Sequence, residues 1–595
     1  MTRIPLRPLA RILPARAAGQ NPDVIERDNL RQRHEQMRDR ARGRANFRLA
    51  LLGLCFLSAY MLIGARMGML AATDPVEPRT ASNGSEITAS RADIVDRNGR
   101  ILATNMLTHA LYVQTRDLVD PKRVAHELAS IFSEQKEDDL LRRFTDGRSF
   151  LWIRKVLSPE QMQKVHEIGD PGLFFGPREM RLYPNGTLAA HVLGGASFGA
   201  EGVASAEVIG TAGIEKFMDA RLRDPEQAGT PLQLSLDLTV QATVEEVLAT
   251  GVQMMNAKGG AAILMDVHTG EIVSLAALPT FDPNDRPNPP VSGDPSDSPL
   301  FNRAVQGIYE LGSTFKIFAA SQAMELGLVN PETMVDANAP LRWGKFTIKE
   351  FENHNYGPLL SVSDVIAKSS NVGTAHIALM IGGERQQAFL KSLGLFDASP
   401  VELVEAKGAK PLRPARWPDI VTITASYGHG VSGSPMNLAA AYATIANGGT
   451  KVEPTLVHHD SVPLGPRVIS PKTSTLAVGM MRRVVTEGTA SLGEVPGYAV
   501  AGKTGTADKT KRGGGYYHDK VVNTFASVFP ANDPKYVLIV TLDEPVETTG
   551  PKPRRTAGWT AVPVAAEIIR RAAPLLGMRP QVEAPSGIAL TASNN

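Results

Sequence analysis

The sequence predicts an α+β fold on a single membrane anchor. Three observations point to it. Strand-like runs lie early and late in the main body of the chain, with helical spacing between them, so one sheet would close from both ends of the sequence. An unbroken apolar run follows an arginine-rich N-terminal tail. One residue of 595 is cysteine, which excludes an intramolecular disulfide framework and Cys-rich metal sites. The 43% hydrophobic content is ordinary for a globular chain and excludes whole-chain disorder. The net charge of +2 argues against a nucleic-acid-binding surface.

Residues 1–48 hold twelve Arg, no Lys and five acidic residues. They read as a basic tail. The run Leu49–Ala65 rises about 25 Å as a helix, and it reaches bilayer thickness if Arg66 snorkels and the span continues to Ala72. A core helix would show a polar face, and a signal peptide would have a shorter leading region. Segment 49–72 therefore reads as one uncleaved transmembrane anchor. Its flanking Arg place the N-terminus in the cytoplasm and the remainder outside. Residues 73–90 are polar and turn-rich, like a linker.

Residues 73–225 form a first mixed region. Asp96-Arg97-Asn98-Gly99 signals a turn before the alternating Ile101–Thr104 stretch. Pro121–Phe132 and Pro159–Ile168 have helical spacing. Residues 226–578 form the second region, entered through a linker at 226–237. An amphipathic helix is predicted over Leu238–Met255. A hairpin follows, with strands Ala261–Asp266 and Glu271–Ala277. Pro279–Pro299 reads as a long surface loop. Helices are predicted at Phe315–Glu325, Val362–Ser370 and Leu438–Ala446, the last stopped by Asn447-Gly448-Gly449. Val500–Thr506, Phe525–Val528 and Tyr536–Leu542 read as strands. Residues 579–595 read as a disordered tail.

Several chemical motifs fail. His126-Glu127 begins HExxH, but Ser130 stands where the second zinc ligand belongs. Ser432 lies in GVSGS, which is no nucleophile elbow. His458-His459-Asp460 lacks further ligands. No metal site and no cofactor site is predicted.

One combination survives: Ser313-Thr314-Phe315-Lys316 (S-x-x-K), Ser369-Ser370-Asn371 (S-x-N) and Lys503-Thr504-Gly505 (K-T-G). Each is weak alone. Ser133-Glu134-Gln135-Lys136 is a second S-x-x-K and Ser593-Asn594-Asn595 a second S-x-N, but neither has a fitting context. The chosen set does. Gly312 permits a tight turn, and the apolar run Phe315–Met324 puts Ser313 at a helix start with Lys316 one turn on. A serine hydroxyl needs a base. Lys316 would serve if burial and the nearby charge of Lys503 lowered its pKa. Asn371 would hold Lys316, and Ser369 would pass the proton to a leaving amine.

At these residues the chain resembles a class B penicillin-binding protein, a D,D-transpeptidase of peptidoglycan synthesis. The likeness covers most of 91–570. It includes RADIVDRNGRILATN (91–105), RLYPNGTLAAHVLG (181–194), GTAGIEKFMD (210–219), LSLDLTVQ (234–241), AAILMDVHTGEIVSLAALPTFDPN (261–284), SYGHGVSGSPMNLAAAYATIANGG (426–449) and AGKTGTAD (501–508). The resemblance implies a non-catalytic, dimerisation-type pedestal at 73–225 and a penicillin-binding-protein/β-lactamase-like transpeptidase domain at 226–578. Ser313 would attack the D-Ala-D-Ala carbonyl of a stem peptide, expel D-Ala and form an acyl-enzyme. A neighbouring stem peptide's amine would resolve it. The backbone N–H groups of Ser313 and Thr506 would form the oxyanion hole. Lys503 and Thr504 would bind the substrate carboxylate, beside Gly505 and Thr506. β-Lactams would acylate Ser313.

Ser369-Ser370-Asn371-Val372-Gly373 is similar to the division-type, septal subgroup. That implies an inner-membrane protein at the division septum. Its implied partners are peptidoglycan stem peptides, a SEDS-family glycosyltransferase and other division proteins, and no nucleic acid. The alternative is an elongation-type transpeptidase. A β-lactamase or β-lactam sensor lacks its E-x-x-L-N glutamate here, and a non-catalytic scaffold would not need three intact motifs. Leu311, where the family usually has Pro, Ala92, where Gly is common, and Ser432-Gly433-Ser434 depart from the pattern. Leu311 would affect the entry angle of the catalytic helix.

Overall fold

A computed structural model describes residues 9–72, 91–201, 206–227, 229–459, 465–511 and 514–581. The expected linker at 73–90 lies outside the described residues, as does 582–595. Residues 579–581, expected to be disordered, are placed: the Gln581 N–H donates to the Gly497 carbonyl at 2.8 Å. The described residues fall into two compact units. One lies within Met1–Thr80, Tyr112–Ile153 and Gln163–Phe174, the other within Ala81–Leu111, Arg154–Met162 and Phe175–Asn595.

In the first unit a helix runs over Pro22–Ala72. Its stretch Asn46–Met67 is long and apolar enough to cross a membrane, and none of it is buried. Its 22 residues rise about 33 Å. The helix starts far before the span because the tail is built of Arg, Glu, Gln and Ala, all good helix formers. Helix Pro121–Ile131 is capped by Asp120, whose side chain accepts from the Arg123 N–H at 3.1 Å. Tyr112 stacks on Phe174 with ring centroids 5.5 Å apart, and Phe150 and Trp152 close the cluster.

In the second unit Ile94 and Val95 pair antiparallel with Ala103 and Ile101 and parallel with Leu232 and Gln233. The turn between the first two is the predicted one. The Asp96 carboxylate accepts from the Asn98 and Arg100 N–H groups, and Gly99 takes φ 79°. Nearby, Glu215 is buried against two arginines. Arg91 and Arg181 each donate to its carboxylate at 2.7 Å. Arg91 also reaches Asp219 at 2.8 Å.

The main sheet has five strands: β1 (Gly259–Asp266), β2 (Ile272–Leu278), β3 (Ala501–Thr510), β4 (Tyr516–Phe529) and β5 (Tyr536–Asp543). Their order is β3-β4-β5-β1-β2, antiparallel throughout. The sheet thus closes from both ends of the sequence, as expected. Strand β2 and nearly all of β1 are buried without alternation, because helices cover both faces. Helix α1 (Leu238–Met254) packs closely on the late helix Ala561–Leu575: a Cβ on Gly251 would lie 2.6 Å from a Val564 methyl. Helices α2 (Lys316–Glu325), α3 (Asn371–Ile381), α4 (Pro435–Ala446) and α5 (Pro471–Thr486) fill the middle of the domain.

Candidate active site

The turn before α2 is held by shape. Gly312 sits at φ 57°, a region that L side chains avoid. Gly312–Phe315 form a 3-10 turn that runs directly into α2. Thr314 donates its hydroxyl to the Leu311 carbonyl at 2.9 Å, and the buried Tyr442 hydroxyl of α4 donates to the Thr314 carbonyl at 2.7 Å. Leu311 is buried at φ −95°, outside the range a proline ring would impose. Here the entry to the helix depends on hydrogen bonds and burial rather than on a locked ring.

Two of the predicted lysines meet at one predicted hydroxyl. Ser369 Oγ lies 3.1 Å from Lys316 Nζ and 3.0 Å from Lys503 Nζ. Lys316 also donates to Asn371 Oδ1 at 2.8 Å and to the Ser369 carbonyl. Ser369 itself stands at φ 62°, a strained position for a non-glycine residue. That strain breaks the helical run predicted over Val362–Ser370. The observed helix ends at Ala367, and α3 begins at Asn371.

Glu350 fixes the start of α3, and no feature of the sequence around it announces this role. Its carboxylate accepts from the Ser370 hydroxyl at 2.6 Å, the Asn371 N–H at 2.7 Å and the Val372 N–H at 3.1 Å. Ser370 then caps the helix through the Gly373 N–H at 2.9 Å. Asn371 is held at its other end by the Lys349 carbonyl.

Both lysines are fully buried, and burial disfavours their charged forms. Lys316 is pushed down to about 7 by burial, with the Glu350 charge acting the other way. Lys503 is held well below the ordinary lysine range, by burial first and then by the charge of Lys316. Burial is the largest effect on both lysines, and the repulsion between two neighbouring ammonium groups is mutual.

Strand β3 carries the third motif along the turn. A Cβ on Gly505 would lie 2.3 Å from the Leu311 carbonyl oxygen, so only glycine permits this approach. Thr504 shares a hydroxyl hydrogen bond with Thr489 at 2.6 Å. Thr506 Oγ1 accepts from the Ala557 N–H at 3.0 Å. Ser313, Ser369, Asn371, Thr504 and Thr506 line one cleft of about 510 Å³. Phe351, Tyr356, Tyr427 and Trp559 add aromatic walls that motif reading did not find. They come from segments distant in sequence and carry no local signal.

His126 pairs with Glu137 at 2.8 Å, and His458 pairs with Glu271 at 2.7 Å. Among the described residues no group of three or more His, Cys, Asp or Glu could hold a metal ion. Lys136 of the second S-x-x-K sits at the cap of helix Glu137–Thr145.

Residues 260–570 match the penicillin binding protein transpeptidase domain, and residues 86–228 match the penicillin-binding protein dimerisation domain. The chain is 32% identical over 580 residues to the "Probable peptidoglycan D,D-transpeptidase FtsI" of Caulobacter vibrioides, covering 94% of each chain. It is 28% identical over 532 residues to the peptidoglycan D,D-transpeptidase FtsI of Escherichia coli, covering 84% of this chain and 88% of that protein. Its structure is similar to penicillin binding protein 3 of Mycobacterium tuberculosis complexed with ampicillin, with TM-score 0.63 and 26% identity, covering 84% of this chain and 97% of that one. The chain belongs to the penicillin-binding proteins. Within them it is a class B transpeptidase of the division type, with a dimerisation domain preceding the transpeptidase domain.

Proposed function

We propose that the protein cross-links peptidoglycan stem peptides through an acyl-enzyme at Ser313. The observation that carries this reading is the single hydroxyl, Ser369 Oγ, shared by two buried lysines in the cleft that Ser313 lines. Lys316 is one helical turn from Ser313, and burial favours its neutral, basic form. It takes the Ser313 proton as the oxygen attacks the carbonyl of D-Ala-D-Ala. Ser369 relays that proton to the departing D-Ala nitrogen. The Ser313 and Thr506 N–H groups stabilise the oxyanion. Lys503, Thr504 and Gly505 hold the substrate end. An amine from a second stem peptide then attacks the ester and restores Ser313.

The same reading assigns residues 1–48 to the cytoplasm, 49–72 to the membrane, 73–225 to a pedestal and 226–578 to the catalytic domain outside the membrane. The arginine-rich tail before the span supports that orientation. The protein acts at the septum beside a SEDS-family glycosyltransferase and other division proteins, and β-lactams are covalent inhibitors. Fluorescent penicillin labelling of the wild type and Ser313→Ala tests the assignment. The wild type labels and the variant does not. Equal labelling of the variant would refute it. Imaging the tagged protein tests the septal role, which a distribution along the side wall would contradict.

A further inference from the structure

Glu310 precedes the Ser313 turn and is buried, yet the acylation chemistry does not use it. Its carboxylate gathers three partners from two other segments. It accepts from the Gly430 N–H at 3.0 Å and from the Tyr516 hydroxyl at 2.9 Å, and its other oxygen lies at ion-pair distance, 3.2 Å, from His429 Nδ1. The Tyr516 ring stacks on the His429 ring, and its oxygen lies 3.4 Å from His429 Nε2. The proton count of this triangle is informative. With the Glu310 carboxylate accepting and Tyr516 donating to it, a proton on each ring nitrogen lets His429 donate in both contacts, as an imidazolium does. A neutral ring presents a lone pair to Tyr516 and competes for its hydroxyl.

The triangle joins the parts that surround Ser313. Glu310 leads into the catalytic turn. Tyr516 opens β4, which pairs along the Lys503-Thr504-Gly505 segment of β3. Gly430 and His429 belong to the loop whose Gly428 lies against the Gly312 carbonyl, where a Cβ would come within 2.1 Å. Glu310 and His429 line the same cleft as Ser313.

We propose that His429, as an imidazolium between Glu310 and Tyr516, is a positioning residue that clamps the Ser313 turn, the 427–430 loop and the β3–β4 hairpin in their acylating arrangement. The proposal rests on Ser313 being the nucleophile. The charged and titratable groups facing the ring are Glu310 from the turn, Asp508 from β3 and Tyr516 from β4. The hydrogen bond to Glu310 raises the His429 pKa above 6.5, against the opposing effect of burial, and the charges of Glu310 and Asp508 add to the rise. The clamp is therefore complete at low pH and is lost as pH rises through that raised value.

The test is the rate of acylation by fluorescent penicillin against pH, on the full chain in detergent. The wild-type rate rises through about pH 7 as Lys316 loses its proton. It then falls by about tenfold, the order expected on losing a hydrogen bond to a charged group. The midpoint of the fall lies above 6.5. His429→Gln removes the alkaline fall. Glu310→Gln moves it to lower pH. Tyr516→Phe keeps the ring packing, weakens the fall, and carries the test if the histidine variant does not fold. A wild-type profile with no alkaline fall overturns the proposal, as does a fall unchanged in the variants. Labelling of Ser313→Ala at every pH would instead show that the nucleophile is elsewhere, and the clamp assignment would fail with it.

Discussion

At the scale of the residue, the site is two buried amines on one hydroxyl. The three motifs made Ser313, Lys316, Ser369, Asn371 and Lys503 legible, because spacing and order survive in a linear chain. The electrostatics were less legible. Burial is a property of the folded core, so the dominant effect on Lys316 had no local signature. Glu350 was not legible at all, since its three donors come from residues about twenty positions away. Two expectations follow. Lys316→Met lowers the acylation rate constant by about 10²–10⁴, the usual share of a general base, measured with a chromogenic β-lactam. Glu350→Gln removes a charge that raises the Lys316 pKa, so the rising limb of the rate profile moves to lower pH. A limb moving to higher pH would contradict the assignment.

At the scale of the element, the geometry depends on close backbone approaches. The strands were legible because β1 and β2 are short apolar runs bounded by turn residues. The break at Ser369 was not, because nothing in Ala367-Lys368-Ser369-Ser370 marks a left-handed residue, and the helix expected over Val362–Ser370 overran its observed end at Ala367. Around the Ser313 turn, Gly428 makes a closer approach than Gly505. It has φ 75°, and an added Cβ would lie 2.1 Å from the Gly312 carbonyl oxygen. The angle alone costs an alanine about 1–3 kcal/mol, and the clash displaces the Ser313 turn. Gly428→Ala is expected to lower both the melting temperature and the acylation rate. Unchanged acylation would show that the loop does not set the turn.

At the scale of the whole molecule, the chemistry depends on serines and lysines within a sheet closed by distant parts of the chain. The RADIVDRNGR stretch has a separate task. Its Arg91 is buried with Arg181 against Glu215. Removing one member of such a set leaves an uncompensated buried charge. Glu215→Ala is expected to cost about 3–5 kcal/mol of stability, read from the denaturant midpoint. Acylation per folded molecule should stay near the wild-type value, because no member of the set lines the cleft.

The central claim is that Ser313 is the residue acylated, selected from two S-x-x-K motifs. Peptide mapping by mass spectrometry after reaction with a β-lactam tests it most directly. The account predicts one covalent adduct, located on Ser313 and absent from Ser369 and Ser133. An adduct on either of those serines, with Ser313 unmodified, would contradict it.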